Sequence, residues 1–385
     1  MGEAVRGVSP VLQGMSPSPV GTSSAVAPPA LSFSVIVPAR IHSSEDATHL
    51  GACLRALQAL TPPPLEILLV DDGSPTPLTL PAVWRGAPLR LHRQGNAGPA
   101  SARNTGAAAA TGDILVFVDA DIEVPPNTLA RLAADFAASP AAAAVWGTVT
   151  AAHPHAGFLS RYKNHTHRHF TLQQEARTRH LTTMLAAIRR QAFLAIGGFD
   201  TRLRTVSVED VELGRDLHDS GQIVLLDKAL EAAHHHRFTG LRALRNDFHK
   251  ARHHARTTLD RRARGESSVS LDGPGERRQL HYLLGIPLGA GAVVALLTGR
   301  WRWSAALLAG LAAWERDLLQ YLAKEEGPLF AAAALPWMAI ERTTVGLAVA
   351  VGVGDHLRTK YVAPPCLAPP GPAIAAAASP RSRRR

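Results

Sequence analysis

Carboxylates cluster at three points where this chain could do chemistry. Asp119 and Asp121 flank one residue, directly after the apolar run Ile114–Val118. Side chains at i and i+2 of an extended segment share a face. The pair can therefore meet one hard cation, Mg²⁺ or Mn²⁺, and bridge it to a diphosphate. Asp71 and Asp72 end a second apolar run, Leu65–Val70. A carboxylate at a strand end can accept from a nucleobase imide or a ribose hydroxyl, and the sequence does not separate the two residues. Asp71-Asp72-Gly73-Ser74 is also good turn chemistry. Glu209 and Asp210 precede Val211-Glu212-Leu213, the start of a predicted helix, where acidic residues also act as caps or dipole partners.

Basic and imidazole groups complete the candidate set. Arg103 lies in Gly95–Gly106, a turn leading into a helix, and would point back at a diphosphate, an anion that guanidinium suits. That segment is neither a GxGxxG fingerprint nor a P-loop. His234-His235-His236 follows a predicted strand, Ile223–Leu226, and its connector. His234 and His236 can complete a metal shell or touch a diphosphate; a solvated basic loop is the plainer alternative. His153, His155, His165, His167 and His169 form another group. With no cysteine or acidic companion at metal spacing it reads as acceptor-side surface, not a zinc site.

These residues need a scaffold. Phe33–Pro38, Leu65–Val70 and Ile114–Val118 are short, branched, apolar runs, as buried parallel strands require. Leu89–His92 is a weaker candidate. His49–Leu60 carries apolar residues at helical spacing, and Gly98–Ala110 is Ala-rich and helix-like. Strand and helix alternate from 32 to about 235, which predicts an α/β layer with parallel strands. Ligands in such sheets sit beyond the carboxyl ends of the strands, where the acidic pairs lie.

The motifs also stand in a telling order: Val35-Ile36-Val37-Pro38-Ala39-Arg40, Val70-Asp71-Asp72-Gly73-Ser74, Gly95–Gly106, Asp119-Ala120-Asp121, Gly197-Gly198-Phe199-Asp200 and Glu209-Asp210. The series strongly resembles the family-two glycosyltransferases over about residues 33–260. The resemblance implies the Rossmann-like GT-A fold and transfer of a sugar, of the hexosyltransferase type, from a nucleotide-diphosphate sugar. It implies donor binding by Pro38, Ala39, Arg40, Asp71, Asp72, Arg103, Asp119 and Gly198. Asp121 would be the more direct ligand of Mg²⁺ or Mn²⁺, with Asp119 close to the donor ribose or the metal. Asp210 would be the general base of an inverting transfer, and Glu209 would shape the acceptor pocket. After Arg40 the chain departs from the pattern: Ile41-His42-Ser43-Ser44-Glu45 replaces an Asn-Glu found in many relatives. The contact expected from this loop is therefore main-chain.

Composition bounds the rest. The chain has 385 residues with 46% hydrophobic and 19% charged, which argues against disorder. Two cysteines, Cys53 and Cys366, exclude a disulfide scaffold and a four-cysteine zinc site. The net charge of +10 is local: residues 237–264 carry nine Lys and Arg against two Asp, and Arg381, Arg383, Arg384 and Arg385 close the chain. The remainder is near neutral, so a general affinity for nucleic acid loses its support. The basic stretch precedes Gln279–Gly299, 21 residues without charge, about 31 Å as a helix. Trp303–Trp314 is uncharged but short, and Gly327–Gly354 is interrupted by Glu341-Arg342.

The resulting layout has a disordered leader at 1–31, a glycosyltransferase domain at 32–236 and a basic juxtamembrane segment at 237–278. A membrane anchor of two or three transmembrane helices at 279–357 and a disordered basic tail at 358–385 follow. Positive residues stay cytoplasmic, so the catalytic domain should face the cytoplasm and the basic segment should meet anionic membrane lipids. The expected acceptor is lipid-linked or a cell-envelope polysaccharide. A non-catalytic membrane scaffold is one alternative. A nucleotidyltransferase is another, though Pro38-Ala39-Arg40 is a poor match to the Gly-rich basic loop it needs.

Overall fold

The computed structural model describes residues 31–80, 88–202, 208–265 and 281–361. The expected leader lies outside them except for Leu31, as do residues 266–278 of the basic segment and the tail beyond Tyr361.

The apolar runs become strands β1 (Phe33–Ala39), β2 (Glu66–Asp72), β3 (Leu89–Gln94) and β4 (Ile114–Val118). All four are mutually parallel where they pair. Alternate residues feed two cores. Val35, Val37, Ile67 and Leu69 face one side, with Leu50, Leu54 and Leu57 of α1 (Ser44–Gln58). Ile36 and Leu68 face the other, with Ala100 and Ala107 of α2 (Pro99–Ala109). This is the two-sided burial that makes such strands read as continuous apolar runs. Helix α1 starts a turn and a half earlier than the apolar spacing predicts. Ser43 accepts from Asp46 N–H at 3.1 Å while Asp46 accepts from Ser43 N–H at 2.9 Å, a reciprocal cap that satisfies otherwise orphaned donors. The added turn carries Glu45.

The sheet is mixed rather than wholly parallel. Its eight strands run β3-β2-β1-β4-β7-β6-β8-β5, with β5 (Ile122–Glu123), β6 (Ala142–Val149), β7 (Leu185–Arg189) and β8 (Ile223–His234). Strand β7 lies antiparallel to both β4 and β6. Its sequence, Leu-Ala-Ala-Ile-Arg, has little β propensity, so only sheet pairing marks it. Strand β8 is also much longer than Ile223–Leu226. It continues along β6 through a register shift at Trp146/Thr148. Gly147 permits this: a Cβ there would stand 2.3 Å from the Leu230 carbonyl oxygen. The far end of β8 then pairs antiparallel with β5, setting Ile122 opposite His234.

Helices α3 (Thr128–Ala138), α4 (Phe158–Leu172), α5 (Arg190–Ala195) and α6 (Glu209–Asp219) complete this part. The remainder is helical: α7 (Gly240–Ala263), α8 (Ile286–Leu297), α9 (Trp301–Trp314), α10 (Arg316–Glu326) and α11 (Pro328–Tyr361). Among the described residues no helix is long and apolar enough to cross a membrane. The expected transmembrane helices are therefore not found. Helix α8 spans only 12 residues and ends before Thr298-Gly299. Helix α11 is long, but Glu341 and Arg342 interrupt its apolar sequence and are buried against other elements. Glu341 accepts from Lys163 Nζ at 2.6 Å and from the Tyr162 hydroxyl at 2.8 Å, and Arg342 pairs with Glu315.

The described part of the basic stretch is mostly helix α7. Helix α7 lies along α11 so closely that a Cβ at Gly352 would sit 2.4 Å from the Arg252 carbonyl oxygen. Part of its charge is engaged internally: Arg261 reaches Asp216 and Asp219, each at 2.7 Å, and Arg252 reaches Asp355 at 2.6 Å.

Candidate active site

A cavity of about 1700 Å³ opens at the carboxyl ends of β1, β2 and β4. Pro38, Ala39, Arg40, Asp72, Arg103, Asp119, Asp121, Glu209, Asp210, His234 and His236 all line it. Eleven of the thirteen sequence-predicted site residues thus converge there. Asp71 and Gly198 do not line the cavity.

The structure separates the two aspartates that the sequence left equal. Asp71 turns into the protein and accepts from the Ser74 and Leu78 N–H groups and from Arg93 at 2.6 Å. Burial raises its pKa, but those hydrogen bonds outweigh burial and hold it below the usual carboxylate value. Asp72 faces the cavity rim. Its oxygens accept from the Ala97 and Gly98 N–H groups and from Gln94 Nε2, at 2.8–2.9 Å, which fixes the turn into α2. Gly198, at φ +74°, serves a turn. Its neighbour Phe199 is held through both backbone groups by the Asn104 amide, at 2.9 Å each.

Backbone pairing assembles the metal-type cluster. His235 N–H donates to the Asp121 carbonyl at 2.8 Å, beside the β5–β8 register. Asp121 Oδ2 then lies 3.6 Å from His234 Nε2 and 3.3 Å from His236 Nδ1. One ligand atom from each of the three falls within 4.8 Å of the others. Burial raises the Asp121 pKa, but the two imidazoles overcome it and leave the carboxyl well below its ordinary value. His234 is thus a strand end facing a carboxylate, not part of a solvated loop. The mixed set of one carboxylate and two imidazoles fits Mn²⁺ better than Mg²⁺, which prefers an all-oxygen octahedron.

Asp119 stands outside that cluster. Its carboxylate accepts from Arg103 at 2.7 Å, and burial still raises it above the usual carboxylate value. Arg103 also donates to Glu209 at 3.1 Å and lies over the Phe199 ring. The guanidinium expected to meet a diphosphate therefore ties two strand-end and helix-start carboxylates together. Burial works against its charge, yet those carboxylates raise its pKa further, so it stays a cation.

Asp210 sits at the start of α6, with Oδ1 accepting from its neighbour's N–H at 2.8 Å. Burial, then the charge of Glu209, push it up to about 6 against the pull of Lys250 and Arg103. A carboxylate poised there is an effective proton acceptor near neutral pH. Lys250 is a cavity residue that sequence reasoning missed, because the charge of α7 was read as one lipid-facing stretch. Tyr162 and Trp146 were missed too, whereas His167, from the group read as acceptor-side surface, does line the cavity. The histidine group of 153–169 is divided: His165 is buried and His167 half-buried on α4, while His153 and His155 lie in the loop before it.

Comparisons with known proteins agree with this layout. Residues 34–197 match the profile of Glycosyl transferase family 2. The chain is 30% identical over 335 residues to the Pre-mycofactocin glycosyltransferase of Mycobacterium tuberculosis, spanning 80% of this chain and 70% of that protein. It is 38% identical over 98 residues to the uncharacterized glycosyltransferase YibD of Escherichia coli, 25% of this chain and 27% of that one. A solved mannosyltransferase from Pyrobaculum calidifontis, in complex with GDP-Man and Mn²⁺, superposes with a TM-score of 0.54 at 23% identity, covering 86% of this chain and 88% of its own. That likeness supports the fold expected from the strand-end motifs.

Proposed function

The chain belongs to glycosyl transferase family 2 and is a glycosyltransferase, and we propose that it is a metal-dependent, inverting one using a nucleotide-diphosphate sugar. The observation that carries this is the convergence of the Asp121–His234–His236 cluster and the half-buried Asp210 in one cavity. Asp121, His234 and His236 would hold a divalent cation, best Mn²⁺, which when bound neutralises charge on the departing diphosphate. The Pyrobaculum neighbour, with its GDP-Man and Mn²⁺, carries ligands of the class proposed.

Asp210 takes the proton of the acceptor hydroxyl as that oxygen forms a bond to the anomeric carbon and the carbon–phosphate oxygen bond breaks. Glu209 and Asp119, linked by Arg103, face the positive charge that develops on the sugar ring. Pro38, Ala39 and Arg40 offer main-chain contacts to the nucleobase. Asp72 and Arg103 act on the donor indirectly, by holding the loop and the carboxylates in place.

The far wall of the cavity informs the acceptor. Lys250, His254 and Arg262 of α7 face Val345, Val349 and Val353 of α11. Such a wall suits an acceptor with an anionic group and an aliphatic part, as in a lipid-linked phosphate. The name of the mycobacterial relative favours a second acceptor, pre-mycofactocin.

Membrane association is proposed as contact rather than spanning. At the α8–α9 corner Leu296, Leu297, Trp301 and Trp303 are each more than 60% exposed, beside Arg300 and Arg302. Aromatic and basic side chains together suit the interface of an anionic bilayer. The proposed side is cytoplasmic, where nucleotide sugars are made.

The test supplies radiolabelled nucleotide sugars and Mn²⁺ to the full-length protein, with native membranes and with pre-mycofactocin as acceptors. The expected result is transfer that chelation abolishes and that Asp121→Ala and Asp210→Asn both lose. Undiminished transfer by both variants overturns the mechanism.

A further inference from the structure

We infer that Glu45, His49 and His155 form a second cation site, separate from the Asp121 cluster, that takes a borderline transition-metal ion of the zinc type. Glu45 and His49 are four residues apart on α1, so they share one face of the helix. His155 reaches them from the loop between β6 and α4. One ligand atom from each falls within 4.8 Å of the other two. Tetrahedral zinc with bonds of about 2.0–2.1 Å needs separations of roughly 3.3 Å, a closure of an ångström or so that side-chain rotation supplies.

The surroundings hold His155 as metal-binding histidines are held. Its Nε2 lies 2.9 Å from the His235 carbonyl oxygen. Donation to that carbonyl fixes the ring and leaves the other nitrogen with a lone pair, the relation that orients imidazole ligands. Its backbone N–H donates to His153 Nδ1 at 3.0 Å, which pins the loop. The His49 ring centroid is 5.7 Å from that of His155 and 5.7 Å from that of His235. His235 is engaged elsewhere, with Glu123 at 2.8 Å. Among the described residues no Lys or Arg forms an ion pair with Glu45. Two imidazoles and one carboxylate, with a fourth position left to water, are a zinc-type donor set.

An ion here would staple α1 to the β6–α4 loop at the edge of the cavity. It shares no residue with the Asp121 cluster and does not depend on the transfer reaction. The absence of an acidic companion in the sequence near His155 is made good by Glu45, which the fold brings from more than a hundred residues away.

Equilibrium dialysis of the full-length protein against Zn²⁺, with bound metal counted by atomic absorption, tests the site. The expected count is one equivalent more for the wild type than for His49→Ala or His155→Ala. Asp121→Asn should keep the equivalent that His49→Ala loses. Glu45→Gln, at a partly exposed position on the helix surface, should weaken that binding roughly tenfold or more, and circular dichroism checks that it folds. The Co²⁺-loaded Asp121→Asn protein should show tetrahedral d–d absorption that a further His49→Ala removes. An unchanged zinc count and an unchanged cobalt spectrum in the His49 and His155 variants would overturn the site. Loss of metal only in Asp121→Asn would overturn it as well, and would leave the transferase reading standing.

Discussion

Two buried charge clusters, one at the strand ends and one among the C-terminal helices, differ in how their carboxylates are matched. In the helices, Asp247 and Glu341 both bond Lys163, at 2.7 and 2.6 Å, and Glu315 pairs with Arg342. Every carboxylate there touches a fixed cation. At the strand ends Arg103 serves Asp119 and Glu209, while Asp121 meets only imidazoles and Asp210 meets backbone N–H groups. Matched charge of the first kind holds elements together. Carboxylates without a fixed cation in contact remain able to take a metal or a proton, so the imbalance marks the site more clearly than the number of charges does.

The sharpest break of that comparison is Asp210→Asn. It keeps shape and removes the proton acceptor, so kcat should fall about 10²–10⁴-fold while the melting temperature stays close to that of the wild type. The pH profile sharpens it. Asp210 works deprotonated and its pKa is raised to about 6, so kcat should climb as pH rises through about 6. That limb should vanish in Asp210→Asn; a limb that survives would assign the base elsewhere.

Lys163→Ala attacks the other cluster. It leaves Glu341 and Asp247 buried without their cation, at a cost of about 3–5 kcal/mol in urea unfolding, and the folded fraction should retain Mn²⁺ affinity. An effect on metal affinity without one on stability would reverse the roles given to the two clusters. A smaller effect is expected from His236→Ala, which removes one of three ligands: the Mn²⁺ concentration for half-maximal transfer should rise roughly 10–100-fold. Smallest for the chemistry is Trp301→Ser with Trp303→Ser. Transfer to a soluble acceptor should stay within about twofold, as for other surface changes, while sedimentation with anionic vesicles drops. Unchanged sedimentation would remove the proposed membrane contact.

Much of the donor half was legible in the sequence. β1, β2 and β4 are apolar runs, the last two with acidic residues at their ends, and a buried parallel strand has no other way to read. The mixed sheet was less so. The Ala-rich β7 and the second half of β8 have no strong pattern; β7 exists through pairing with β4 and β6, and that half of β8 through pairing with β6 and β5. The C-terminal third was the least legible, because an apolar helix buried among helices and one buried in lipid share a composition. Nor does any pattern within α11 reveal that Glu341 and Arg342 are met by Lys163 and Glu315.

The chain by itself determined which side chains are candidates for the chemistry: Asp119, Asp121, Glu209, Asp210 and the histidines at the end of β8 stand out by type and by their place at element ends, which local periodicity reveals. Only the tertiary structure decided which of them act together. It set Arg103 against two carboxylates, turned Asp71 inward and Asp72 to the rim, and brought His155 to Glu45. Partnership between buried charges depends on sheet register and helix packing between segments distant in sequence, and no local pattern encodes that distance.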